Sequence, residues 1–259
     1  MKRKGEYTIR TITAGEVVEM IKFKTRKNKP NERLSDRERA RRQRTTHDNG
    51  IIPHAARIVN NNFVNGDYFI TLTLSSAEYK KLCRRAARLR KKPEHAAYEE
   101  KRLLTVAAAI VLDNWIRRVQ DKCKKLGTIF KYFAIIADGH ESDDEGSTRI
   151  HYHVIVSGAA MEICKEKWTA GFPDAEPLDI GQKDRTPLVE YMIKQVKYYT
   201  HAKAYRPSRN LDPPIIENNH AYTDAPPRPT RGAVVMYRSE WRPGFPQYIR
   251  FIPKPHQRN

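Results

Sequence analysis

The chain has 259 residues, 39% of them hydrophobic, with 49 Lys and Arg against 30 Asp and Glu and a formal net charge of +19. This is room for one substantial domain with extensions or for two small ones, with enough apolar residues for a real core. Such a positive excess repels itself in a free compact protein, so it points to a polyanionic partner, nucleic acid ahead of an acidic membrane surface. Three widely spaced cysteines, Cys83, Cys123 and Cys164, contain no CxxC pair and suggest neither a zinc ribbon nor a disulfide framework. The longest apolar run, Leu103 to Leu112, is far shorter than the roughly 20 residues of a membrane span. No apolar stretch follows the basic Met1–Glu6, so no secretory signal is visible. The expectation is a soluble cytoplasmic protein with reduced thiols.

The first fifty residues are the most basic, and Arg37, Arg39, Arg41, Arg42 and Arg44 form a dense run. Residues 1–59 read as a basic N-terminal extension that tightens on phosphates with release of counterions. Ser35-Asp36-Arg37-Glu38 has the spacing of a capping box, where a short helix would begin. The first strand signal is Asp67–Leu74, with Tyr68, Ile70, Leu72 and Leu74 on one face and Phe69, Thr71 and Thr73 on the other. Ser75 and Ser76 sit where a helix cap belongs. Helical patterns follow from Ala77 to about Arg90 and from about Pro93 to Lys125, the second carrying an apolar face fit to pack on a sheet.

After Gly127 the pattern turns to strands. Ile129–Ala137 and Arg149–Val156 are aromatic and β-branched, and the polar, Gly-flanked loop between them predicts an antiparallel hairpin. Helices are expected at Met161–Trp168, closed by Gly171, and from Pro187 to about Tyr199. Pro207 to Pro229 is proline-rich, and late strands are expected near Ala233–Tyr237 and Gln247–Ile252. Residues 216–259 therefore read as a proline-rich C-terminal extension with one or two strands.

The chemistry-bearing pattern is His151-Tyr152-His153 inside a predicted strand. Residues i and i+2 of a strand project to the same face, so two imidazoles stand side by side and suit one divalent cation. Tyr191 and Lys194 lie three apart on a predicted helix and share a face. A phenol is a covalent nucleophile, a divalent ion polarises a phosphate, and an ammonium steadies developing charge. Together these suit phosphodiester cleavage. A histidine phosphoesterase with an HxHxH run is disfavoured, because position 155 is Ile.

Phe69–Leu74, then His151-Tyr152-His153, then Tyr191-Met192-Ile193-Lys194 resemble the three ordered motifs of HUH endonucleases. The likeness is greatest to rolling-circle replication initiators of phages, plasmids and integrated elements. Asn62-Phe63 with Gly66-Asp67, Trp168–Gly171 and Pro207–Pro213 are also similar, so the resemblance covers roughly residues 60–215.

It implies an α+β fold, a central antiparallel sheet of about five strands flanked by helices on the RNA-recognition and ferredoxin-like plan. It further implies Mg²⁺ or Mn²⁺ on His151 and His153, and attack by Tyr191 on one strand of single-stranded or supercoiled origin DNA. That attack leaves a 5′-phosphotyrosine and a 3′-hydroxyl, and the ends can later be rejoined. The third metal ligand is expected to be Asp138, at the end of the preceding strand, with Glu141 and His140 as the other candidates. The position four after Tyr191 is Gln195, so one tyrosine is expected to act rather than two. Lys197 and Arg209 join the arginine run as expected DNA contacts.

No GxxxxGK[ST] loop is present, so a separate helicase is expected as partner. The setting implied is the cytoplasm of a bacterial host, without a membrane. A relaxase or a single-tyrosine transposase shares the chemistry, and a non-catalytic nucleic-acid-binding module remains an alternative that leaves the histidines and Tyr191 without a task.

Overall fold

A computed structural model describes residues 7–25, 50–138, 149–198, 204–240, 242 and 245–254. The fold is α+β, with two antiparallel sheets of five strands each and five helices. Two compact units divide the chain: residues 63–182 and 187–211 form one, and residues 1–62, 183–186 and 212–259 form the other.

In the unit of residues 63–182 and 187–211, the strands are β3 (Tyr68–Leu72), β4 (Tyr132–Ala137), β5 (His151–Val156), β6 (Pro173–Pro177) and β7 (Arg206–Pro207). They lie in the order β6-β3-β5-β4-β7, with every neighbour antiparallel. Ile70 and Leu72, Tyr152, Val154 and Val156, and Ala134 and Ile136 share one face. They form a core with helices α2 (Ser76–Leu89) and α3 (Glu100–Leu126). Helix α2 starts where Ser75 Oγ accepts the Glu78 backbone N–H at 3.3 Å, which satisfies one of the free donors of a helix start. Tyr152 is fully buried and its hydroxyl donates to the Ala108 carbonyl, so its one polar atom loses little on burial. A short helix, α4 (Met161–Glu166), adds Cys164, whose carbonyl accepts the Trp115 indole N–H at 3.1 Å.

Several segments noted in the sequence beside the histidine and tyrosine motifs are clamps. Trp168 donates its indole N–H to the Thr73 carbonyl at 3.0 Å, and Thr73 and Phe172 exchange backbone hydrogen bonds. A Cβ on Gly171 would lie 2.0 Å from the Thr73 carbonyl oxygen, so this approach requires glycine. The Asp67 carboxylate accepts the N–H groups of Val64 and Gly158 at 2.8 and 2.9 Å. Ser208 pairs with the Tyr132 backbone through both its N–H and its hydroxyl oxygen.

The other unit changes the expected division of the chain. Rather than a basic arm and a C-terminal extension, residues 7–24 and 215–252 together build a second sheet, of order β8-β1-β2-β10-β9. Its strands are β1 (Tyr7–Ala14), β2 (Val17–Lys24), β8 (Ile215–Ala221), β9 (Val234–Arg238) and β10 (Gln247–Ile252). Thr and Ile dominate β1, and β2 alternates Val17, Glu19, Ile21 and Phe23 with Val18, Met20, Lys22 and Lys24. Gly15 closes the hairpin at φ +59°, and a Cβ there would meet the Asn60 carbonyl oxygen at 2.2 Å. Helix α1, described over residues 50–62, sends Arg57 into a bidentate pair with the buried Glu19. Asn62 exchanges hydrogen bonds of 2.8 Å with the Asp212 backbone, joining the end of α1 to the segment before β8. The expected helix at Ser35–Glu38 and the run Arg37, Arg39, Arg41, Arg42 and Arg44 lie outside the described residues.

Element ends moved by a few residues elsewhere. The segment expected as one helix from Pro93 begins with a 3-10 turn at Pro93–His95, and α3 starts only at Glu100. The last helix, α5 (Thr186–Lys194), stops before the expected Tyr199. All three cysteines are free thiols. Among the described residues no helix is long and apolar enough to cross a membrane.

Candidate active site

The face of β5 turned away from α2 and α3 carries His151, His153 and Ile155, with Phe69 and Thr71 beside them on β3 and Ile135 on β4. His153 stands directly between Thr71 and Ile135 in register. Its ring stacks on Phe69 at 5.0 Å between centroids and 22° between planes. It is only 3% exposed. Burial, then the neighbouring His151, push its pKa down to about 4, against a smaller upward pull from the hydrogen bond to Gln195. The ring is therefore neutral near pH 7, as a metal ligand must be.

The Nε2 atoms of His151 and His153 are 3.1 Å apart, with the rings nearly perpendicular. Each outer nitrogen has its own partner. His151 Nδ1 lies 3.1 Å from the Arg149 carbonyl, which only accepts, so the proton of this ring sits on Nδ1 and Nε2 offers a lone pair. His153 Nδ1 lies 3.1 Å from the Thr71 hydroxyl, which can donate or accept. His153 Nε2 also lies 3.3 Å from Gln195 Oε1. Three atoms thus converge on one proton: His151 Nε2 and Gln195 Oε1 accept, and His153 Nε2 donates. A divalent cation in place of that proton would meet three lone pairs, with Thr71 then accepting from Nδ1. The two imidazoles suit a first-row transition ion better than Mg²⁺, and the amide oxygen suits Mn²⁺ and Mg²⁺ alike.

Helix α5 runs beside this face with Val189, Met192 and Ile193 buried. Tyr191 on the helix and Gln195 just past its end reach the histidines together: the Tyr191 ring lies 5.6 Å from that of His153, and Gln195 hydrogen-bonds His153. Tyr191 is 52% exposed, half in contact with the buried imidazole and half open to a substrate. Lys194 pairs with Glu190 at 2.9 Å, an i,i+4 pair on the exposed side of the helix.

Asp138 ends β4 as expected, but its carboxylate is engaged elsewhere. The Thr105 hydroxyl donates to it at 2.6 Å, and the backbone N–H groups of Lys197 and Tyr198 donate at 2.7 and 3.3 Å. Its own N–H donates to the Gln195 carbonyl at 3.1 Å. Burial raises its pKa, and the hydrogen bonds it accepts pull the other way. Asp138 therefore anchors the chain that follows α5. Glu141 and His140 lie outside the described residues. Among the described residues no three His, Cys, Asp or Glu side chains come together to hold a metal.

Gln195 is the residue that sequence reasoning passed over. Its signal was its position four after Tyr191, a spacing weighed only for a second tyrosine. Of the expected DNA contacts, Lys197 is exposed with Nζ 5.9 Å from the Tyr198 ring centroid, and Arg209 is exposed. Comparison with family models, curated proteins and solved structures gives no match.

Proposed function

We propose that this chain is a metal-dependent DNA nickase that cuts one strand through Tyr191 and keeps its 5′ end as a phosphotyrosine. The observation that carries the reading is the pair of facing Nε2 atoms, 3.1 Å apart, beside the half-exposed Tyr191 ring. Two histidines sharing a polar focus next to a nucleophile on a neighbouring helix form the minimal set for attack at a phosphodiester. The ordered motifs that resemble HUH endonucleases, and the antiparallel sheet carrying both histidines on its central strand, support the same reading.

His151, His153 and Gln195 would hold the ion, Mn²⁺ or Mg²⁺. When bound, it supplies Lewis-acid polarisation of the scissile phosphate. Tyr191 Oη forms the new bond to phosphorus as the P–O3′ bond breaks. The phenol gives up one proton and the departing O3′ takes one up, so charge balances over the step. Reversal, with a 3′-hydroxyl attacking the phosphotyrosine, rejoins the strand without an external energy source. The stack on Phe69 and the Thr71 hydrogen bond hold His153 in place, and the Arg149 carbonyl fixes the His151 tautomer. Lys194, three residues on from Tyr191, would add positive charge at the nucleophile on leaving its pair with Glu190.

In biological terms the reading is a rolling-circle replication initiator acting on single-stranded or supercoiled origin DNA with a separate helicase, in the cytoplasm of a bacterial host. A relaxase or single-tyrosine transposase would use the same residues on a different DNA.

The test is incubation of end-labelled single-stranded oligonucleotides and supercoiled plasmid carrying origin-derived sequence with Mn²⁺ and the wild-type chain or Tyr191→Phe. A denaturant-resistant DNA adduct with the wild type and none with the variant is expected. An adduct that persists in the variant removes Tyr191 as nucleophile. Absence of cleavage by the wild type with every divalent metal leaves a binding module.

A further inference from the structure

Helix α2 carries a charge array that neither the core nor the candidate site uses. Between residues 80 and 92 the chain has eight Lys and Arg, all exposed, and the only acidic residue in the helix is Glu78, which pairs with Lys81 at 2.7 Å. Lys80, Arg84 and Arg88 stand at successive i,i+4 positions on the exposed side, and Lys91 follows in the turn beyond. Leu82, Ala86 and Leu89 point the other way, into the core. Like charges at i,i+4 destabilise a helix, so the array opposes the folding of its own helix. Among the described residues Lys80, Arg84, Arg88 and Lys91 have no acidic partner.

From this we infer that α2 is a binding surface for the phosphate backbone of duplex DNA. Lys80 to Arg88 spans about 12 Å along the helix, comparable to the width of the major groove, so the flexible arms reach phosphates on its rims. Guanidinium and ammonium groups without hydrogen-bonding neighbours suit phosphate oxygens and read no sequence. The partner is not a single strand, because an unpaired strand is held largely by stacking of its bases and the cationic side of α2 bears no aromatic residue. Nor is it a membrane, because the apolar side of α2 is spent in the core and no hydrophobic anchor remains. The array lies on the helical side of the sheet, whereas His151 and His153 lie on the other, so it binds DNA away from the nicking site. That the duplex is DNA rests on the nickase reading; the charge argument does not.

The test measures binding, so it is independent of cleavage. A labelled 30-base-pair duplex of arbitrary sequence is titrated with the full chain in EDTA at several salt concentrations. The proteins compared are the wild type, K80Q/R84Q/R88Q/K91Q, and a control with the same charge loss elsewhere, K24Q/R228Q/R231Q/R238Q. The α2 variant is expected to bind on the order of 10²-fold more weakly, with the slope of log affinity against log salt shallower by about 3 to 4, near 0.9 for each lost phosphate contact. The control should keep at least half of the wild-type slope, and circular dichroism should show all three folded. Equal slopes for the wild type and the α2 variant overturn the inference, as does a control that loses as much. An equal loss of affinity for a single strand of the same length overturns the assignment to duplex. A loss confined to phosphatidylserine vesicles, with duplex binding intact, replaces DNA with a membrane. Loss of duplex binding with Mn²⁺-dependent cleavage of short single strands intact supports both readings separately. Intact duplex binding by the α2 variant counts against this inference alone, and failed cleavage by the wild type counts against the nickase reading alone.

Discussion

Alternate residues of one six-residue strand carry two opposite jobs. Tyr152, Val154 and Val156 face α2 and α3 and are wholly buried in an apolar core, their only polar group satisfied by the Ala108 carbonyl. His151 and His153 face α5 and meet polar atoms at every ring nitrogen. The pleat separates the two sets without a loop or a bulge, so the site inherits the rigidity of a central strand. Stability and chemistry are therefore expected to come apart under mutation, face by face.

The largest separation is expected from the double substitution His151→Ala/His153→Ala. Loss of two of the three proposed ligands should lower Mn²⁺-dependent adduct formation by at least about 10³-fold, since a bound metal contributes several kcal/mol to such a step. The thermal midpoint should stay within a few degrees of the wild type, measured in EDTA. A fall in cleavage matched by unfolding would join the two faces into one structural unit. On the other face, Tyr152→Ala removes a fully buried aromatic and its hydrogen bond to the Ala108 carbonyl, and leaves a cavity. It should cost about 3–5 kcal/mol by denaturant titration, while the fraction that remains folded still cleaves.

Acid provides a finer probe of the polar face. The unfolded chain binds a proton on a histidine near pH 6.5, whereas native His153 resists protonation until about pH 4. Between these values the unfolded state holds more protons, so stability falls as pH is lowered through the window and is fully retained above it. The integrated loss is about 3 kcal/mol, and His153→Gln should flatten that limb of the stability–pH curve in metal-free buffer. A variant that keeps the full slope would place the responsible proton elsewhere.

These contrasts also explain what could be read from the residues alone. The period-2 pattern of Phe69–Leu74 and of Ile150–Val156 marks both the core and the histidine pair, because a strand's two faces are written in alternate letters. The hairpin of Tyr7–Lys24 was hidden by proximity to the Arg37–Arg44 run: composition over fifty residues drowned an eight-residue alternation. Strand β8, Ile-Ile-Glu-Asn-Asn-His-Ala, is an edge strand with almost every residue exposed, so no burial pattern exists to betray it. Tyr191 and the histidine pair could be assigned to their helix and strand because each depends on one element's period. A third ligand depends on how two elements meet, which no single period encodes.

The third donor beside the two histidines gives the sharpest test. Asp138 has the charge expected of a metal ligand, but its oxygens are occupied by Thr105, Lys197 and Tyr198, whereas the neutral Gln195 touches His153 directly. If Gln195 completes the donor set, Gln195→Ala should weaken Mn²⁺ binding about 10-fold by calorimetric titration, with little change in fold. Asp138→Asn keeps one acceptor for the same donors and should leave Mn²⁺ affinity within about 3-fold of the wild type, since an indirect support is worth less than a ligand. Its effect should appear instead in cleavage, through a Tyr191 helix whose far end is less firmly held. The reverse ranking, with Asp138→Asn costing more affinity than Gln195→Ala, would return the carboxylate to the metal and require the end of α5 to rearrange when the ion binds.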